Sequence, residues 1–241
     1  MMLNEGLVLI LLICGALLMV GAIAGLADRK NFAPRWLLVA VALFFLNDAA
    51  LTRGYGVIPD VIGGEWNWTG KVLALAITLA VASHPAMRWQ RSGLTLRHNP
   101  GSLVSCAPIA ILYCLFFLAL ALVFPNEPAS TESMAFQLTM PGLEEEPFYR
   151  GILLLALNEA FRGRIRAMGI EWGWGAVISC VLFGLTHAFG YSAENGFQFD
   201  ALTMALTAVP SFLAVWLRER SGSLLLPIIV HNFGNSIMLI V

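Results

Sequence analysis

Long apolar stretches alternate with short polar connections along almost the whole chain. They lie near residues 6–26, 36–52, 69–84, 102–124, 140–160, 173–189, 199–217 and 223–241. A helix that crosses a membrane needs about 20 consecutive, predominantly apolar residues, and most of these stretches approach that length. The pattern therefore predicts an all-α, polytopic integral membrane protein with about eight transmembrane helices.

The composition fits a chain surrounded by a lipid bilayer. Of 241 residues, 59% are hydrophobic and 12% are charged, whereas a soluble domain is about 25% charged. The net charge of −1 offers no basic surface that would suggest nucleic acid as a partner. The cysteines lie inside apolar stretches without metal-ligand spacing, and we expect them to be packing residues: Cys14, Cys106, Cys114 and Cys180.

Charge alternates between successive loops. The segments "PNEPASTES" and "GYSAENGFQFD" contain acidic but no basic residues. Short loops rich in Arg and Lys stay in the cytoplasm, which predicts that both termini lie on the outer side of a membrane that we expect to be prokaryotic. The basic residues of the other four loops are Arg29, Lys30, Arg35, Arg88, Arg91, Arg97, Arg162, Arg164, Arg166, Arg218 and Arg220.

Three of the predicted helices contain side chains that hydrocarbon penalises. A charged group inside a membrane costs several kcal/mol, by order of magnitude, unless it is paired or faces a cavity. Residues four apart share one face of a helix, so the groups fall into pairs. With the orientation above, the glutamates lie about one turn into the fifth helix, and all these groups reach the outer half of the bilayer. The residues are Glu144, Glu145, Glu146 and Arg150 in the fifth helix, Phe183 and His187 in the sixth, and His231 and Asn235 in the eighth.

Each of these features also has a structural explanation. A single membrane histidine often bridges helices by hydrogen bonds, and an isolated pair such as Glu146 and Arg150 often only holds helices together. Glutamates near the end of a span can lie at the membrane interface. The three features together, at matching depth, predict a polar cavity inside the membrane.

The motifs that carry these residues resemble those of one known family. They read "EEPFYR" from Glu145 to Arg150, "FGLTH" from Phe183 to His187 and "HNFGN" from His231 to Asn235. Their order and spacing are similar to those of the CPBP family, the CAAX-prenyl-protease-like intramembrane proteases. The resemblance covers about residues 102–241, which suggests a catalytic core over 101–241 and an accessory role for the helices of 1–100.

The resemblance implies hydrolysis of a peptide bond inside the membrane. In this interpretation Glu145 is the base and His187 helps to hold the water. His231 and Asn235 would donate hydrogen bonds to the oxyanion. Glu146, Arg150 and Phe183 would support them, with Phe183 packing beneath His187, while Glu144 falls outside the motif and is expected to be interfacial.

The expected partner is a membrane-anchored protein or peptide, with a C-terminal tail as one candidate region for cleavage, and no cofactor is expected. A zinc-dependent version remains an alternative, because two histidines and a carboxylate ligate zinc in many hydrolases. Against zinc, the chain has no His-Glu-x-x-His helix, and Asn235 is a poor zinc ligand. A non-enzymatic immunity or scaffold protein and a proton-relaying transporter are the competing classes.

Overall fold

The computed structural model describes residues 5–54, 58, 63–124 and 129–241. Almost all of the regular structure in these residues is α-helical. A short 3₁₀ turn, Arg29–Asn31, follows the first helix, and a π-helical turn, Pro147–Leu153, joins α5 to α6 into one continuous helical segment. The helices are α1 (Glu5–Ala27), α2 (Pro34–Thr52), α3 (Trp68–Ser83), α4 (Ser102–Val123), α5 (Thr131–Glu146), α6 (Leu154–Ala160), α7 (Trp174–Ala188), α8 (Ala201–Ser221) and α9 (Leu225–Ile237).

Two small antiparallel hairpins connect the later helices. Strands β1 (Ile165–Ala167) and β2 (Ile170–Trp172) lie between α6 and α7, and strands β3 (Phe189–Ser192) and β4 (Gly196–Phe199) lie between α7 and α8. Each hairpin is a two-stranded sheet, so both act as connections within a helical fold.

Four of the described helices have the length and composition of membrane spans. Helices α1, α2, α4 and α8 are long and apolar enough to cross a bilayer, while α3 and α7 are shorter apolar helices. Large apolar side chains such as Ile23, Val104 and Leu122 remain exposed on the outside of the bundle, as expected where lipid covers the surface. The prediction of an all-α, polytopic membrane protein is confirmed.

The fifth helical segment begins nine residues earlier than predicted. Ser130 caps it by accepting a hydrogen bond from the backbone N–H of Ser133 at 3.1 Å, and α5 starts at Thr131 rather than near residue 140. Glu145 is therefore the fifteenth residue of α5, about 21 Å from its start. The predicted depth of about one turn is wrong, because the first turns of α5 are too polar to be recognised as part of an apolar stretch.

The loops with the predicted positive charge meet at one end of the bundle, which we call the basic end (residues 28–35, 84–101, 161–173 and 218–224). Ala33 donates to the carbonyl of Ala160, and Asn99 donates to the carbonyl of Ser221. The opposite end carries the β3–β4 hairpin, where Glu5 accepts a hydrogen bond from the backbone N–H of Ala193; we call it the hairpin end. The two ends thus differ in charge as the loop pattern predicts.

Candidate functional site

The three glutamates are the last residues of α5, directly before the π-helical turn. Such turns inside α-helices are rare and frequently occur at functional sites. Across this turn, Nη1 of Arg150 lies 3.2 Å from Oε1 of Glu146, and both side chains are almost completely buried. Arg150 also donates to Oγ of Ser211 on α8. The ion pair expected from the spacing of four residues is therefore present.

Helix α9 brings His231 between two of the glutamates. Its Nδ1 lies 2.6 Å from Oε1 of Glu146, and its Nε2 lies 3.7 Å from Oε2 of Glu145. Because a carboxylate accepts hydrogen bonds, Nδ1 carries a hydrogen and donates it to Glu146. Asn235, one turn further along α9, makes no hydrogen bond to another described residue through its side chain, and it lines the same cavity as His231.

Helix α7 supplies His187 near its end. The Nδ1 of His187 donates to the carbonyl of Phe183 at 2.8 Å, which leaves Nε2 as an acceptor when the imidazole is neutral. The Phe183 ring lies 4.7 Å from the His187 ring and 4.1 Å from the guanidinium carbon of Arg150. Phe183 therefore packs against both the histidine and the buried cation.

An ammonium group from α3 joins two of the glutamates, and the sequence analysis missed it. The Nζ of Lys71 lies 2.6 Å from Oε1 of Glu145 and 2.7 Å from Oε2 of Glu144. Asn47 of α2 donates to the other oxygen of Glu144 at 3.2 Å. Glu144 is fully buried, so its expected interfacial position is wrong; the lysine compensates its charge inside the protein, and the amide donates a hydrogen bond to its other oxygen.

Two cavities meet at the residues Lys71, Glu145 and His187, which line both of them. Oε2 of Glu145 is buried and has no hydrogen-bond partner among the described residues. The cavity of about 240 Å³ extends toward α1 and α2, with walls that include Leu9, Ile10, Ile13, Phe44 and Tyr149. The cavity of about 470 Å³ extends toward α4, α8 and α9, with walls that include Tyr113, Phe117, Phe136, His231 and Asn235.

The side chains fit a zinc ion poorly. No group of three or more His, Cys, Asp or Glu residues in the described part of the chain is arranged to hold a metal. The Lys71 ammonium lies against Glu145, and Nδ1 of His231 is directed to Glu146. A metal near Glu145 would have to coexist with this cation.

Asn232 closes a break in α5 and is a second residue that the sequence analysis missed. Pro141 interrupts the helical hydrogen bonds, and the Asn232 side chain accepts from the N–H of Gly142 at 2.7 Å and donates to the carbonyl of Thr139 at 3.1 Å. A Cβ atom on Gly142 would lie 2.8 Å from the carbonyl oxygen of Ile228. Glycine therefore allows α9 to approach α5, which positions His231 beside the glutamates.

The fold and the site together define a polytopic membrane protein with a cluster of carboxylates and imidazoles beside two cavities, in which Glu144, Glu146 and His231 are buried. Residues 128–237 match the family described as type II CAAX prenyl endopeptidase Rce1-like. The match covers less than half of the chain; it supports the predicted resemblance to the CPBP family and, at family level, an intramembrane protease that acts on a peptide or protein substrate. No curated protein and no solved structure matches the chain.

The family match begins at residue 128, later than the predicted start of the catalytic core. The division into 1–100 and 101–241 stays a prediction. Two side chains from the first hundred residues, those of Asn47 and Lys71, nevertheless contact the site's glutamates.

Proposed function

We propose that the protein is an endopeptidase that hydrolyses a peptide bond of a membrane-anchored substrate, with Glu145 as the base that activates water. One observation carries this proposal. Glu145 is held through Oε1 by Lys71, while its buried Oε2 has no hydrogen-bond partner among the described residues and lies 3.7 Å from Nε2 of His231. A carboxylate with one fixed and one free oxygen, beside a cavity, is suited to accept a proton from water.

The reaction follows from the groups around this oxygen. Glu145 takes a proton from water, and the water oxygen forms a bond to the carbonyl carbon of the substrate. The C–N bond then breaks, and the proton passes from Glu145 to the leaving amine. His187 accepts a hydrogen bond from the same water through Nε2, because its Nδ1 is bound to the Phe183 carbonyl. The products are one carboxylic acid and one amine.

His231 and Asn235 are the proposed donors to the oxyanion that forms in this step. Asn235 can donate through its side-chain amide, which has no partner among the described residues. His231 can donate only when Nε2 carries a hydrogen, since Nδ1 already donates to Glu146. Loss of one oxyanion donor costs about 10²–10³ in kcat. Glu146, Arg150 and Phe183 would act as supporting residues that fix His231 and His187.

We propose that hydrolysis needs no metal. The close contact of Lys71 with Glu145 supports this view, since the ammonium already compensates the carboxylate charge. Activity of the purified protein should then survive excess EDTA and 1,10-phenanthroline. Loss of activity with both chelators, and its return on addition of Zn²⁺, would favour the zinc alternative.

The proposed substrate is a protein or peptide anchored in the membrane and cut in its C-terminal tail. The matched family acts on CAAX prenyl proteins by its description. His187, however, lies toward the hairpin end, because it is the last residue but one of α7 before the β3–β4 hairpin. If the basic end is cytoplasmic, His187 opens the site toward the outer face, which suits tails of exported proteins.

Three probes test the proposal with purified protein in proteoliposomes. They are a quenched fluorescent CAAX-type peptide with a farnesyl group, the same peptide without it, and a reporter protein anchored by a C-terminal membrane tail. Wild type should cut at least one probe at a single bond, identified by mass spectrometry, and Glu145→Gln should not.

Glu159→Gln is the matched control, because Glu159 pairs with Arg91 at the basic end, away from the cavities. It should cut like wild type. If wild type and folded Glu145→Gln leave all three probes intact, the hydrolase proposal fails, and the non-enzymatic class is favoured.

A further inference from the structure

Lys71 of α3 both contacts the glutamates of the site and lines the cavities, which a purely structural lysine would not need to do. Lys71 lies in the first turn of α3, three residues after Trp68, and its ammonium is placed between two carboxylates of another helix. It also lines both cavities that meet at Glu145. The group therefore touches the proposed base directly and faces the space where substrate would bind.

The charges of the site explain why a cation is needed there. Three glutamates, Glu144, Glu145 and Glu146, follow one another at the end of α5, and Arg150 is directed to Glu146. Apart from Lys71, the only basic side chain in the described part of the chain within ion-pair distance of Glu144 or Glu145 is His231, at 3.7 Å from Glu145. Adjacent buried carboxylates repel each other, so the lysine stabilises the charge of both.

The two carboxylate oxygens of Glu145 differ in their contacts. Oε1 receives the Lys71 ammonium at 2.6 Å, and Oε2 is left without a hydrogen-bond partner among the described residues. Glu144 holds the same ammonium from the other side at 2.7 Å and is itself fixed by Asn47. A chain of contacts thus runs from α2 through Glu144 and Lys71 to the proposed base.

We propose that Lys71 is a positioning residue for hydrolysis, which orients Glu145 by binding Oε1 and so directs Oε2 toward the water and the substrate. Glu144, which Asn47 fixes through its other oxygen, holds the ammonium in place. The inference rests on the proposed function, because it concerns the same base. It also gives α2 and α3 a part in the reaction, through Asn47 and Lys71.

The first test is Lys71→Met, measured with the probe that wild type cleaves. A misplacement of about 1 Å in a reacting group can cost about 10²-fold in rate, so kcat should fall by about 10²-fold, with KM changed less than about threefold. Lys71→Arg keeps a cation at this position, so its kcat should be at least about tenfold higher than that of Lys71→Met. Lys30→Met is the control: Lys30 is the chain's other lysine and lies at the basic end. The kcat of this variant should equal that of wild type.

A double variant separates positioning from charge compensation. Lys71→Met with Glu144→Gln removes one positive and one negative charge, so it should recover the thermal stability that Lys71→Met loses. If Lys71 orients Glu145, the kcat of the double variant stays about 10²-fold below wild type. If Lys71 only neutralises Glu144, the double variant recovers full kcat, and the proposal is overturned.

The outcomes also distinguish this inference from the proposed function. Cleavage by wild type but not by Glu145→Gln, together with unchanged kcat in Lys71→Met, refutes only the role of Lys71. No cleavage by wild type refutes both. Should Lys71→Met fail to fold, Lys71→Arg and the double variant decide the question, since wild-type kcat in the double variant contradicts the proposal.

Discussion

Nδ1 of His231 lies 2.6 Å from Oε1 of Glu146, and the same oxygen lies 3.2 Å from Nη1 of Arg150. One carboxylate oxygen therefore joins the last helix to the π-helical turn. Glu146 is fully buried and Arg150 is 2% exposed, so neither charge is screened by water. The arrangement fixes the ring of His231 while its Nε2 remains directed toward Glu145.

Glu146→Gln should destabilise the protein strongly. The substitution leaves the Arg150 guanidinium without its carboxylate, and breaking one partner of a buried pair costs about 3–5 kcal/mol. The free energy of unfolding, measured by denaturant titration in detergent micelles, should fall by about that amount. Glu159→Gln, which breaks the more exposed pair with Arg91, should cost less than about 1 kcal/mol. If both substitutions lower the unfolding free energy equally, the buried pair of Glu146 and Arg150 contributes no more to stability than the exposed pair.

Substitutions of two asparagines of α9 should affect different quantities: Asn232→Ala should lower stability, and Asn235→Ala should lower kcat. Asn232→Ala leaves the N–H of Gly142 without its acceptor, and a buried unsatisfied donor costs about 1–3 kcal/mol. Asn235→Ala should change the unfolding free energy by less than about 1 kcal/mol, while kcat falls by about 10²–10³. Unfolding and cleavage assays on both variants check this. If Asn235→Ala keeps the wild-type kcat, Asn235 is not a donor to the oxyanion.

Gly142→Ala should weaken the packing of α9 against α5. A Cβ at this position would lie 2.6 Å from Oδ1 of Asn232 and 2.8 Å from the Ile228 carbonyl, so the helices must move apart. We expect a loss of about 1–3 kcal/mol in stability and a lower kcat, because α9 also carries His231. Gly15→Ala meets no atom within 4 Å and should be neutral or stabilising by up to about 1 kcal/mol. Thermal unfolding of both variants compares them, and similar shifts would contradict the steric argument.

The helices could be predicted from sequence because each apolar stretch has to be covered by lipid or by other helices. The start of α5 could not, since its first residues mix polar and apolar side chains and depend on the Ser130 cap. A hydropathy pattern detects segments that are buried in lipid. It does not detect a helix start that is set by a local hydrogen bond such as the Ser130 cap. The fifth helix was therefore predicted too short, and the depth of the glutamates was wrong with it.

The motif residues could be predicted from their spacing, but two of their partners could not. Lys71 lies 73 residues from Glu144, and nothing in its local sequence shows which carboxylate it meets. A lysine inside an apolar stretch was the available signal, since such a group needs a partner. The role of Asn232 depends on a break at Pro141 in another helix, so only the packing of α9 on α5 reveals it.

The cap of α8 should make stability depend on acid pH. Hydrogen bonds from the hydroxyl and N–H of Thr203, with one from the N–H of Leu202, lower the pKa of Asp200 below the ordinary aspartate value of about 4. A carboxyl with a lowered pKa in the folded state stabilises it above the ordinary value, and this contribution is lost as pH falls through the lowered pKa. Asp200→Asn keeps the cap without a charge.

Thermal midpoints of wild type and Asp200→Asn measured from pH 7 to pH 3 test this dependence. The advantage of wild type over Asp200→Asn should shrink as pH falls below about 4. A constant difference over the whole range would show that the ionised cap does not contribute.

The orientation of the bundle is a prediction that labelling can decide. Short loops rich in Arg and Lys remain cytoplasmic, so the basic end should face inward and the start of α5 outward. In a background with the four native cysteines replaced by alanine, Ala129→Cys should react with an impermeant maleimide on intact cells. Leu96→Cys, 79% exposed at the basic end, should react only after permeabilisation. The reverse pattern would place the site toward the cytoplasm and replace exported tails with cytoplasmic ones as the proposed substrates.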